Sequence, residues 1–311
     1  MIPLQIKGLT KIYQQGWSRK TFVAVDQLNL EICKGEIFGF LGHNGSGKTT
    51  TIKMILGLVH PTSGNALILG RDIREIDVKR SVGYLPESPY FYDYLSADEL
   101  LGFYGKLFGM RGGELTRKID LLLELVGLQH ARRVPLRKYS KGMLQRAGIA
   151  QALINDPELV VLDEPMSGLD PIGRRDVRDI ILHLREQGKT VFFSSHILPD
   201  VEMICDRVGI LVRGQLKAIG SVSELVGSET VNEVEIQVAG ATQGLTDTVN
   251  RFGGSVKRQG GMALITVPDQ LQADMVLEHI QAGNGRLVSV VPHKRSLEDL
   301  FLTETGGGVR S

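Results

Sequence analysis

The stretch "EIFGFLGHNGSGKTTTIKMILGLV" (36–59) leaves this chain few folds to choose from. "EIFGFL" is a short apolar run, it passes into the glycine-spaced loop "GHNGSGKT" (42–49), and "TTTIKMILGLV" continues with apolar residues at helical spacing. Strand, loop and helix in that order put a row of backbone amides at a helix N-terminus, which is a seat for phosphate. The candidate nucleotide-binding residues are therefore Gly42, His43, Asn44, Gly45, Ser46, Gly47, Lys48, Thr49 and Thr50. Amides from Asn44 to Thr49 point at one centre, and Gly45 and Gly47 permit a close backbone approach. Lys48 reaches the β- and γ-phosphates, and Thr49 offers its hydroxyl to Mg²⁺.

Further apolar runs, "LVVL" (159–162) and "TVFF" (190–193), flank the helical-looking "IGRRDVRDIILHLREQG" (172–188). Strands apolar on both faces that alternate with helices predict a parallel, helix-covered sheet. Between Pro89 and about Asn155 the segments "SADELLGFYGKLFG", "LTRKIDLLLELVGL" and "MLQRAGIAQALI" repeat at three and four, which predicts a helical insert. The first long run ends in "LVVLDEP", where Asp163 can hold Mg²⁺ through water and Glu164 can polarise an attacking water. Loop and acid pair together predict an NTPase.

With 311 residues, 42% hydrophobic and 23% charged, the chain has room for one sizeable domain and a smaller one. A net charge of +1 without a long basic run argues against nucleic acid as a partner. The only cysteines, Cys33 and Cys205, have no paired spacing; they suit a reducing cytosol and are both expected to pack as small apolar residues. The N-terminal "MIPLQIKGLTK" has no signal pattern and no apolar run is long enough to span a bilayer, so another chain has to supply any membrane. After about Val226 the order βαββαβα predicts a small split βαβ sandwich, with "TGGGVRS" (305–311) as a frayed tail.

At 139–146 the chain reads "YSKGMLQR", and here it resembles the ATP-binding subunits of ABC transporters. Ser140 and Gly142 match the family's signature loop, whereas Lys141 and Met143 replace its usual Gly and Gln. Ser140 is also a sound helix cap in its own right. "SGLD" (Ser167, Gly168, Leu169 and Asp170) resembles the loop that crosses the dimer interface. His196 in "SSH" takes the place of the family's γ-phosphate-sensing histidine, and Tyr13 in "LTKIYQ" that of the ring stacked on adenine; each also fits an ordinary structural role. The resemblance implies a P-loop NTPase fold: a RecA-like parallel-sheet core with an antiparallel β subdomain over 1–225, a helical subdomain at about 89–155, a linker at 226–232 and a small α+β domain at 233–311. It implies ATP and Mg²⁺ as cofactors, with Thr49, Asp163 and, as a further candidate, Glu87 at the metal, and Glu164 and His196 as catalytic residues. Two subunits would form a homodimer in which Ser140, Lys141, Gly142 and Met143 cap the ATP on the partner's phosphate loop.

"SLEDLFLTETG" (296–306) resembles the tail of the drug-export branch typified by daunorubicin-resistance ATPases, which work with a separate transmembrane permease. That implies a cytoplasmic protein, peripheral on the inner face of the cell membrane, powering export of a drug, lipid or other small molecule. The small domain reads as a dimer-stabilising or regulatory cap, or as a ligand sensor. In "YLPESPYFYDY" (84–94), four of the chain's 7 Tyr surround Glu87, which stands where the family has Gln. The resemblance makes Glu87, Tyr90, Phe91, Tyr92 and Tyr94 candidate permease-coupling residues; packing inside the helical insert is the other reading of each ring, and an ordinary solvated loop acid that of Glu87. A non-transport ATPase of this family, acting on ribosome or DNA, is the alternative. It would carry a long coiled coil or a second cassette, neither of which is present.

Overall fold

A computed structural model describes residues 2–15, 20–226, 231–240, 244–283, 285–294 and 297–304. The chain divides into two compact units, Met1–Val222 and Ser223–Ser311. In the first unit the elements run β1 (Leu4–Gln15), β2 (Lys20–Ile32), β3 (Ile37–Leu41), α1 (Lys48–Ile55), β4 (Ser63–Ile68), β5 (Arg71–Asp72), β6 (Val82–Leu85), α2 (Ala97–Leu107), α3 (Gly112–Leu125) and α4 (Lys141–Ala152). They continue with β7 (Leu159–Leu162), α5 (Pro171–Glu186), β8 (Thr190–Ser195), α6 (Leu198–Ile204), β9 (Arg207–Val212), β10 (Gln215–Ser221) and the opening of a short helix α7 (Val222–Val226).

Six strands form one sheet in the order β10-β9-β3-β8-β7-β6, parallel throughout except for the antiparallel edge strand β10. Every residue of β3, β7 and β8 is buried, as expected of strands covered on both faces. Phe38 and Phe40 stand two apart on β3 and so share a face; both rings meet Phe192 on β8, with centroids 6.1 and 5.5 Å away. A second sheet, β2-β1-β4-β5, is antiparallel, and its Leu4, Ile6, Leu28 and Ile68 join Ile52, Met54 and Ile55 of α1 and the phenylalanines in one core. Helix α1 is thereby packed from more than one side, which fixes the loop that precedes it.

The helical insert is held by capping as well as by packing. Ser96 caps α2 with a reciprocal box to Glu99, and Arg132 ties Asp98 at 2.7 Å to Asp120 at 2.9 Å. Gly105 and Gly148 are required by close packing: a Cβ would collide with Leu115 and Leu85 respectively.

The second unit contains β11 (Val231–Ala239), α8 (Leu245–Arg251), β12 (Ser255–Gln259), β13 (Met262–Val267), α9 (Gln270–Ala282), β14 (Arg286–Lys294) and α10 (Leu297–Glu304). Its sheet order, β12-β13-β11-β14 with every pair antiparallel, is the split βαβ arrangement. Val234, Ile236, Ile265 and Val267 form its core with Leu245, Val249, Val276 and Ile280 of the helices. Gly260 and Gly261 close the β12–β13 hairpin at φ +58° and +82°, where a side chain would strain the turn. The expected frayed tail "TGGGVRS" lies outside the described residues.

One expectation fails. Cys33 does not pack as a small apolar residue but is exposed, because it sits in the turn between β2 and β3, where its N–H donates to Glu36 Oε1 at 2.6 Å. Cys205 is half-buried with its sulfur turned toward Gly39, and burial of the thiol pushes it well above the usual range.

Candidate functional site

Strands β3, β8, β7 and β6 are neighbours and run the same way, so the segments that follow them emerge along one edge of the sheet. Ligand sites of parallel sheets form at that carboxyl edge. After β3 comes the loop 42–49, after β7 Asp163 and Glu164, after β8 His196, and after β6 Glu87.

The loop's geometry depends on glycine. Gly45 and Gly47 have φ +80° and +110°, and a Cβ on Gly47 would collide with the carbonyl oxygen of Ala24 in β2. Lys48 Nζ donates to Gly42 O at 2.6 Å and His43 O at 3.3 Å, and lies 3.1 Å from Glu164 Oε1. That oxygen has no hydrogen-bond partner of suitable direction, so the pair is held by charge alone. His43 Nδ1 stands 2.7 Å from Asn44 O. Ser46 is fully buried and its Oγ is unpartnered; its carbonyl accepts from Gly214 N at 2.8 Å, which ties the loop to the β9–β10 turn.

The two acids are wired differently. Asp163 Oδ1 accepts from Ser194 Oγ at 2.6 Å and from Thr49 Oγ1 at 3.3 Å. Burial pushes the Asp163 carboxyl above its ordinary range; those two hydrogen bonds oppose the shift, and the charges of Glu164 and Glu87 add to it. The neighbouring Tyr84 phenol is pushed up to about 12, by burial first and then by the charge of Asp163. Glu164 N donates to the same Ser194 Oγ at 2.9 Å, and Glu164 Oε2 lies 2.8 Å from His196 Nδ1. Glu164 adopts φ +50°, a conformation costing a non-glycine residue about 1–3 kcal/mol, and it aims a 6%-exposed carboxylate between Lys48 and His196. Ser194 has only a weak sequence signal, as the first of two serines that close a buried strand with an apolar middle.

A cavity of about 430 Å³ opens here, lined by Gly45, Lys48, Thr49, Glu87 and Glu164 and by the rings of Tyr13 and Phe22. Tyr13 is 38% exposed and carries the Lys11 ammonium 5.0 Å from its ring centroid. The donor set fits Mg²⁺: the Thr49 hydroxyl is already in contact with an oxygen of Asp163, a carboxylate whose burial a cation would offset. Among the described residues no three His, Cys, Asp or Glu side chains converge as a fully protein-held metal would need. Mg²⁺ characteristically takes few protein oxygens and completes its shell with phosphate and water.

Other sequence-predicted residues stand apart from this cavity. Ser140 caps α4, accepting from Met143 N at 3.2 Å. Lys141 is exposed and its ammonium rests against Gly168, where a Cβ would displace it. Gly142 has its nearest neighbour, Leu169 Cδ2, 3.9 Å from where a Cβ would stand, so packing within the chain does not demand glycine there. Asp170 caps α5 through Gly173 N at 2.8 Å, while Ser167 N donates to Glu164 O at 3.1 Å. Tyr90 is 96% exposed, Tyr92 and Tyr94 are also exposed with centroids 5.8 Å apart, and Phe91 is half-buried, its ring tip 3.5 Å from where a Cβ on Gly148 of α4 would stand. Among the described residues no helix is long and apolar enough to cross a membrane.

The family model described as "ABC transporter" matches residues 25–167. An uncharacterized ABC transporter ATP-binding protein of a Synechocystis strain is 44% identical over 299 residues, covering 95% of this chain and 82% of that protein. The bacitracin transport ATP-binding protein BcrA of Bacillus licheniformis is 38% identical over 309 residues, covering 98% of each. Among solved structures, a dimeric ATP-binding cassette in a post-hydrolysis state, bound to ADP and Pi, aligns with a TM-score of 0.61 and 25% identity over 70% of this chain and 98% of that one.

Proposed function

The chain belongs to the ATP-binding, ATP-hydrolysing subunits of ABC transporters, and from that membership we propose that it powers export of a drug, lipid or other small molecule through a separate transmembrane permease. The observation that carries the chemistry is one cavity lined by Lys48, Thr49 and Glu164, with Asp163 bound to Thr49 and His196 bound to Glu164 directly behind that lining. The loop amides and Lys48 bind the phosphates of ATP. Glu164 orients a water and takes its proton as the water oxygen bonds to the γ-phosphorus and the bond to ADP breaks. His196 holds the Glu164 carboxylate in place and stands beside the γ-phosphate. Thr49 and Asp163, with Glu87 as a third candidate, would hold Mg²⁺, which when bound neutralises charge on the β- and γ-phosphate oxygens.

The site is completed by a second copy. Ser140, Lys141, Gly142 and Met143 open α4 toward the γ-phosphate of the partner's ATP, adding helix-terminal amides and a lysine charge; Ser167 to Asp170 cross the interface. ATP binding closes this homodimer and hydrolysis opens it, as binding that favours one of two states requires. The dimeric cassette among the structural relatives supports this reading. The permease meets the exposed rings of Tyr90, Tyr92 and Tyr94, with Phe91 bracing the loop from inside and Glu87 linking it to the nucleotide. The chain thereby works at the inner face of the membrane. The export reading is supported by the bacitracin transport relative, and the 233–311 unit serves as a dimer-stabilising or regulatory cap.

Purification of the tagged full chain from detergent-solubilised membranes tests the assignment. A polytopic membrane protein co-elutes, and Phe91→Ala with Tyr92→Ala uncouples its ATPase stimulation while ATP binding is unchanged. Recovery with ribosomes or DNA instead contradicts it.

A further inference from the structure

Tyr13 and Phe22 are direct partners in the antiparallel β1–β2 ladder. Opposed residues of such a pair project from the same face with Cβ atoms about 5 Å apart, so the two rings share one wall. Both line the cavity that Gly45, Gly47 and Lys48 of the phosphate loop also line, together with Ala24, which follows Phe22 on the same face of β2. Neither ring is committed to a core. Phe22 is 53% exposed and Tyr13 38%, and Lys11 already lies over the Tyr13 ring.

Chain geometry fixes this wall against the loop. The Ala24 carbonyl passes so close to Gly47 that a Cβ there would collide with it, and Asp26 N donates to Gly214 O at 2.8 Å while Gly214 N donates to Ser46 O at 2.8 Å. Two exposed aromatic rings, paired across the β1–β2 ladder, are therefore held beside the phosphate loop. Phenylalanine brings no polar group to that wall, and Ala24 brings only a methyl.

We infer that Phe22 is a specificity-determining residue for the nucleobase, forming with Tyr13 an aromatic corner that selects purines by ring area and discriminates little between adenine and guanine. This rests on the phosphate-loop reading proposed above. Stacking is tolerant of base identity because every base has a π-face, and discrimination between adenine and guanine requires hydrogen-bonding groups that this pair of rings supplies only at the Tyr13 hydroxyl. The larger purine face covers both rings, whereas a pyrimidine covers one.

The test is equilibrium binding by the full chain of ATP, GTP, CTP and inorganic tripolyphosphate, for the natural sequence and for Phe22→Ala, Phe22→Tyr and Tyr13→Ala. Phe22→Ala weakens ATP and GTP by a similar factor of about ten and leaves tripolyphosphate unchanged. CTP loses less, so purine preference narrows, and Phe22→Tyr restores it. Tripolyphosphate also reports the fold of the loop in each variant. Purine binding by Phe22→Ala equal to that of the natural chain overturns the inference while leaving the phosphate loop intact, as does equal loss of ATP and tripolyphosphate. A natural chain that binds neither overturns the nucleotide reading itself.

Discussion

His196 Nδ1 lies 2.8 Å from Glu164 Oε2 although 32 positions separate the two residues in sequence. His196 is 42% exposed and Glu164 6%, so the imidazole covers the open side of a carboxylate that is otherwise enclosed. Removing the ring frees Glu164 to swing toward Lys48, 3.1 Å from its other oxygen. His196→Ala is expected to lower ATP turnover by about 10²-fold while ATP affinity changes little, measured by steady-state phosphate release beside nucleotide binding.

Gly47 combines φ +110° with a Cβ position blocked by the Ala24 carbonyl. Gly47→Ala must move either the loop or β2, and a cost of about 2 kcal/mol or more is expected, with loss of nucleotide binding. Thermal denaturation and nucleotide titration of the same sample check both.

Ser194 serves both acids through a single hydroxyl, donating to Asp163 and accepting from the Glu164 amide. Ser194→Ala strands a buried N–H beside a strained residue and removes one of the two hydrogen bonds that restrain the rise of the Asp163 carboxyl. A loss of about 1–3 kcal/mol in unfolding free energy is expected, and turnover falls as Glu164 loses its backbone restraint. An acid with a raised folded-state value favours folding below the ordinary carboxylate range and loses that contribution as pH climbs through the raised value. The variant therefore extends that declining limb to higher pH, which urea denaturation across pH reads directly.

The two cysteines differ in kind. Alkylation of the folded protein at mildly alkaline pH should modify exposed Cys33 and spare Cys205, whose thiol burial pushes well above its usual range. Peptide mapping shows one labelled site in the native chain and two after unfolding; native labelling of Cys205 contradicts the packing against Gly39.

What was readable in the sequence is what a residue type dictates locally. A glycine-spaced loop between an apolar run and a helix specifies its own backbone, and two acids after a buried apolar run mark a strand end, so the strand–loop–helix around 42–49 and the place of Asp163 and Glu164 after β7 are legible in the sequence. The second unit was legible for the same reason, since its periods of two and 3.6 and its Gly260–Gly261 turn are local signals. Relations between distant strands were not. Ser194 reads as an ordinary strand-end serine until β7 and β8 are set side by side, and Phe22 as a core ring until its partner across the ladder is known to be Tyr13. The left-handed conformation of Glu164 has no sequence signal, because glutamate rarely adopts it. Cys33 was misjudged because composition predicts burial for cysteine in general and cannot see that this one lies in a turn.

The central claim is that Glu164 is the base of an ATP hydrolase whose binding apparatus is separate from it. Its most direct test is paired measurement of ATP binding and single-turnover ATP cleavage in Glu164→Gln. The amide keeps the size of the side chain but gives up the charge that accepts a proton. ATP affinity within a few-fold of the natural chain, with cleavage slower by about 10²–10⁴, is predicted. Cleavage at the natural rate in that variant contradicts the account.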